Sequence, residues 1–105
     1  METDRELLEL AAKAAGIEVA DWHRYGHAVT SVGDWNPLTD DGDALRLAVT
    51  LKLHISVQGD MPGDEQITFC GHGWDGAQIK AHGADAYAAT RRAIVRCAAE
   101  IGRTM

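Results

Sequence analysis

Cys70 and His72 stand two residues apart, and His54 and His82 lie near the ends of expected strands on either side of them. On a strand, residues two apart share a face, so a thiolate and an imidazole there could converge. Three or four such ligands hold zinc. The same group could act as a Cys–His nucleophile pair, the imidazole drawing the proton from the thiol. The spacing is not one of the strong zinc signatures, and scattered surface histidines with a small buried cysteine account for it more simply. His23 and His27 are four apart, a spacing that puts two ligands on one face of a helix. Gly26 lies between them, however, no helical period surrounds them, and no Glu follows His23.

Asp40-Asp41-Gly42-Asp43 invites a calcium reading. With Gly42 at the sixth position of a calcium loop, the first, third and twelfth positions fall on Pro37, Thr39 and Ala48, and none of these brings the required carboxylate. A helix start is the better reading. Gly71-His72-Gly73-Trp74-Asp75-Gly76 has no following Lys-Ser/Thr and opens no helix, so it is not a phosphate loop. Its glycines suit the positive φ angles of a hairpin. Trp22, Trp35 and Trp74 are candidates for an interaction surface, since Trp is enriched at binding hot spots. The competing reading is that they fill or cover the core. Arg91, Arg92, Arg96 and Arg103 crowd the C-terminal segment, with Arg92 and Arg96 the candidates for a contact face. A solvated helix face explains such a run most simply.

These residues sit in a chain of 105 residues, which suits one domain with one modest core. Hydrophobic residues make up 46% and aromatic residues 6%, so that core rests on Leu, Ile, Val and Ala. The net charge is −6, with the acidic excess concentrated in residues 1–65. Nucleic-acid affinity rests on Lys and Arg neutralising phosphates, so nucleic acid is not the expected partner. An Arg91–Arg103 helix is the only weak route to it. Two cysteines, Cys70 and Cys97, make no disulfide framework. The acidic start Met1-Glu2-Thr3-Asp4 is no secretory signal, and no apolar run approaches bilayer length. A cytoplasmic protein with reduced thiols, no cofactor and no membrane contact is expected.

The positioning elements are partly marked. Thr3 caps a helix over about 4–15, with Glu6 completing a capping box, Leu7, Leu10, Ala11 and Ala14 as its stripe, and Gly16 at its end. Ile17 to Val32 shows no clean period and reads as irregular, with a short edge strand near Ala28–Ser31. Gly33-Asp34-Trp35-Asn36-Pro37 reads as a turn. Leu45, Leu47, Val49, Leu51, Leu53, Ile55 and Val57 alternate with other residues as one long strand would. That exceeds the usual strand length, and Asp40, Asp41 and Asp43 suit a helix start. The division is therefore a helix over about 40–51, with Ala44, Leu47, Ala48 and Leu51 inward, and a strand over about 53–58. Gln66 to Cys70 reads as a strand with Ile67 and Phe69 inward, and Ala77 to Ala81 as the next. A last helix runs over about 85–101, with Tyr87, Ile94, Val95, Ala98 and Ile101 inward and Arg92, Arg96 and Glu100 outward. The sum is an α+β domain in which an antiparallel sheet of about three strands packs with helices, in the order helix-helix-strand-strand-strand-helix.

Trp35 to Leu53, WNPLTDDGDALRLAVTLKL, resembles a recurrent motif of short phage and prophage proteins of Gram-negative bacteria. Tyr87 to Arg103, YAATRRAIVRCAAEIGR, is similar to their C-terminal helix, and Ala11 to Ile17 fits their start. The family that these segments resemble is the phage ABA sandwich domain. One departure is His54, where the pattern leads one to expect a helix-ending glycine. The resemblance implies a mobile-element origin and a compact α/β fold, and it implies no catalytic residue. It suits an accessory protein that works by binding an as yet unidentified host or phage protein.

Overall fold

The computed structural model describes residues 3–24, 26–30, 33–58, 66–72 and 79–105. Their order is α1 (Asp4–Ala15), β1 (Val19–Trp22), β2 (Ala28–Thr30), β3 (Gly33–Trp35), α2 (Asp41–Leu51), β4 (Leu53–Gln58), β5 (Gln66–His72), β6 (Ile79–Gly83) and α3 (Ala86–Arg103). The fold is α+β, with two three-stranded antiparallel sheets of order β1-β2-β3 and β4-β5-β6. The expected single sheet is therefore corrected to two, and the expected order gains a sheet between the first two helices. Ala28–Thr30 is the middle strand of that sheet rather than an edge, and Gly33–Trp35 is a strand rather than part of a turn.

Helix ends follow their caps. The Thr3 hydroxyl accepts from the Glu6 amide at 3.1 Å, and Gly16 takes a left-handed conformation at φ 72°. Asp40 caps α2, its Oδ2 accepting from the Asp43 amide at 2.8 Å, and Asp85 caps α3 in the same way through Ala88. The long alternation breaks at Lys52, which stands at φ 55° between α2 and β4. A non-glycine residue there carries about 1–2 kcal/mol of steric cost. Lys52→Gly is accordingly expected to stabilise the protein by about 1 kcal/mol, a rise of roughly 4–8 °C in melting temperature by calorimetry.

α3 lies at the centre of the packing. It contacts α1 most extensively, then β6, β5 and α2. Its buried residues Ala89, Ala93, Ile94, Val95, Cys97, Ala98, Ala99 and Gly102 cover most of its circumference, as a helix enclosed by neighbours requires. Leu7, Leu8, Ala11 and Ala12 of α1 meet it, and Ala44, Leu47 and Ala48 of α2 join the same core. The core is thus largely alanine, which lets elements approach closely. One expected inward position is corrected: Tyr87 lies exposed at the start of α3. In β5 Thr68 and Cys70 are buried, and the side chains of Ile67 and Phe69, expected inward, lie outside the described residues. Thr68 reaches Thr90 of α3 through a 3.0 Å hydroxyl–hydroxyl hydrogen bond, while Thr90 donates to the Ala86 carbonyl. Among the described residues no helix is long and apolar enough to cross a membrane.

Candidate functional site

The register of the second sheet separates Cys70 from His54 and His82. Cys70 is opposite Ile55 and Ile79, whereas His54 is opposite Gly71 and His82 is opposite Ile67. Side chains alternate between faces, so Cys70 stands on the face covered by α3 and both histidines stand on the other. Cys70 is buried and meets Cys97 of α3, while His54 and His82 are exposed. The His72 side chain and Trp74 lie outside the described residues. Hydrogen bonding to Cys97, then burial, pushes the Cys70 thiol far up, and the same hydrogen bond pulls the Cys97 thiol down. Cys70 therefore keeps its proton and serves as a packing residue that joins β5 to α3.

His23 and His27 close the β1–β2 hairpin rather than share a helix. The His23 amide donates to the His27 carbonyl at 2.8 Å. Their rings stack at 4.3 Å with planes 12° apart, so their in-plane lone pairs do not converge on one ion. His27 Nε2 sits 3.4 Å from Asp34 Oδ2. The acidic cluster is equally engaged. Asp43 accepts from the Asn36 amide at 3.0 Å and from Arg46 at 2.7 Å, and Asp41 pairs with Arg91 at 2.6 Å. Among the described residues, no group of three His, Cys, Asp or Glu side chains is arranged to hold a metal.

The arginines of α3 are committed within the molecule. Arg91 also donates to the Leu38 carbonyl at 2.9 Å, Arg92 pairs with Asp4 at 3.3 Å, and Arg103 pairs with Glu100 at 3.1 Å. Arg96 donates to the Lys80 carbonyl at 3.4 Å. These pairings leave α3 a poor phosphate-neutralising face. Trp35 is buried in the core and so is not a surface contact. Trp22 is half-buried, with the Arg5 guanidinium 4.9 Å above its ring. The two described tryptophans do not make a shared exposed surface.

What the structure does assemble is an apolar groove of about 540 Å³ between α2, β4 and α3. Leu45 of α2, Ile55 and Val57 of β4, and Tyr87 and Ile94 of α3 line it, with the Asp41–Arg91 pair at its rim. Leu45, Tyr87, Val57 and Ile55 are 62%, 69%, 51% and 39% exposed, and Val49, one turn beyond Leu45, is 67% exposed. No family model, curated protein or solved structure matches this chain. The groove was not anticipated from sequence, although a signal existed. Once Ala44, Leu47 and Ala48 form the buried face of α2, with Leu51 half-buried beside them, Leu45 and Val49 of the same alternation are left without a place in the core.

Proposed function

We propose that this is a non-enzymatic binding protein that acts by protein–protein contact through the groove between α2, β4 and α3. The observation that carries the reading is the clustering of Leu45, Val49, Ile55, Val57 and Tyr87 on one exposed face. Scattered apolar residues are normal on a surface, whereas a contiguous patch beside polar side chains marks a contact site. The aromatic member and the rim ion pair match the usual anatomy of such sites. The reading has support from the engaged state of other described candidates: thiols in the core, carboxylates in caps and ion pairs, arginines in internal bonds. The resemblance to short phage and prophage proteins supports, as its setting, a phage or prophage accessory protein in the bacterial cytoplasm.

A photo-crosslinking side chain at position 45 tests the reading in cells, with the same group at exposed Glu9 as control. A crosslinked polypeptide at position 45 and none at position 9 is the expected result. No adduct at position 45 would overturn the groove as a contact surface.

A further inference from the structure

Side-chain hydrogen bonds tie α3 to the inner face of β5. The Thr68 hydroxyl meets that of Thr90 at 3.0 Å. Two residues further along the strand, and two turns further along the helix, the sulfurs of Cys70 and Cys97 meet in a hydrogen bond. Both thiols lie in the core, 0% and 3% exposed. Cys70 is held by ladder pairing to β4 on one side and β6 on the other, and Cys97 lies in the buried stretch of α3. They are the only two cysteines of the chain. Each sulfur therefore has a single possible partner within the molecule and already touches it. A disulfide needs sulfurs about 2.05 Å apart on side chains that point at each other. The hydrogen bond meets the second condition, and small rotations about the two Cα–Cβ bonds supply the first.

We propose that Cys70 and Cys97 form a redox pair, closed by a small peroxide into a disulfide that clasps β5 to α3 and reopened by a dithiol reductant. The clasp is independent of what occupies the groove. The roles of the two sulfurs follow from their contact. Cys70 donates its S–H to Cys97, which pushes the Cys70 thiol far up and pulls the Cys97 thiol down from its ordinary value. A thiolate is the attacking form of cysteine, so Cys97 attacks and Cys70 resolves. The Cys97 sulfur takes one peroxide oxygen. The O–O bond breaks, the second oxygen leaves as water with the Cys97 proton, and Cys97 becomes a sulfenic acid. The Cys70 sulfur then attacks the Cys97 sulfur. The S–S bond forms, the S–O bond breaks, and the hydroxyl leaves as a second water with the Cys70 proton. The pair has lost two electrons and the peroxide has gained them. A dithiol reverses the step by exchange and becomes a disulfide itself. Burial selects the oxidant. A peroxide little larger than water can enter the seam, whereas oxidised glutathione cannot bring its sulfur to a thiol that is 3% exposed. The bond would enclose β6 and most of α3, and a cross-link of that span stabilises chiefly by restricting the unfolded chain.

Thiol counting on the purified full chain tests the inference. Reduced protein, freed of reductant, is treated with a small excess of hydrogen peroxide, unfolded in urea with iodoacetamide, and mapped by mass spectrometry. The expected result is loss of both alkylatable thiols and a peptide pair linked through Cys70 and Cys97 of one chain. Dithiothreitol should restore both thiols, and the closed form should melt roughly 10 °C or more above the reduced one. Thiols that stay alkylatable overturn the inference, as do sulfinic or sulfonic acids in place of the link, or a link between two chains. Cys70→Ala keeps the attacking sulfur and should hold a sulfenic acid on Cys97 that dimedone traps, while Cys97→Ala should leave Cys70 a thiol. A dimedone adduct on Cys70 in the second variant, with none in the first, overturns the assignment of roles. The wild-type count decides the inference even where a variant does not fold.

Discussion

Trp35→Ala is expected to cost about 3–5 kcal/mol of stability, the range for deleting a large buried aromatic side chain. A domain of this size has about 5–15 kcal/mol in total, so the variant would sit near the edge of folding at room temperature. Trp35 is 4% exposed at the end of β3. It lies opposite Ala28 of β2, which in turn lies opposite Trp22 of β1. A fully buried alanine thus sits in the row between two indoles, and the short first sheet depends on them for its bulk. The residue after Trp35 donates its amide to Asp43, which ties the sheet to the start of α2. Truncation therefore opens a cavity at the joint between sheet and helices. Urea unfolding measures it: the midpoint should fall with little change in slope. A loss within about 0.5 kcal/mol, as for an ordinary surface substitution, would return Trp35 to the surface reading.

The parts of the fold that were legible in the sequence are those where local chemistry outweighs pattern. The alternation from Leu45 to Val57 reads as a single strand by period alone. Asp40 and the acidic first turn decide for a helix, and the structure ends α2 at Leu51 and begins β4 at Leu53. Thr3 and Gly16 bracket α1 in the same way. The first sheet was not legible because strands of three and four residues are too short to show a period of two, and the register shift in β1 breaks what alternation exists. A residue such as Trp35, next to Asn-Pro, reads as turn because the sequence signal for the turn begins one residue after the strand ends.

The groove was illegible for a different reason. Sequence patterning equates apolar with inward, and that equation assigns Tyr87 to the buried face of α3. In the structure α3 is buried by its small residues, and the aromatic ring is left outside. Conversely, Cys70 and the Asp40–Asp43 carboxylates, which suggested chemistry, turned out to be structural. Thiols, imidazoles and carboxylates carry the same identities in caps and cores as in active sites, and only strand parity and pairing separate the two uses.

Gly102→Ala is expected to destabilise the protein by about 3 kcal/mol, although replacing glycine by alanine inside a helix ordinarily gains about 1 kcal/mol. Gly102 is buried in the last turn of α3, and a Cβ there would fall on the carbonyl oxygen and carbon of Leu10 in α1. The obstacle is backbone, so no rotamer change relieves it. The helices would have to separate along a seam where Ala11, Ala12, Ala98 and Ala99 are all buried, and each of those contacts would loosen with the first. Gly42→Ala supplies the contrast. A Cβ at Gly42 would meet only the side-chain ends of Arg46 and Asp40 at 3.3 Å, which can shift at small cost. It lies in the first turn of α2, so propensity should dominate and the variant should be neutral or gain up to about 1 kcal/mol. Measured side by side by urea unfolding, the two substitutions share their chemistry and differ only in what stands opposite. Opposite signs would show that close approach of α1 and α3 holds the core together. A gain at both positions would mean that the two helices have room to spare, and the alanine seam would then be a matter of composition rather than of packing.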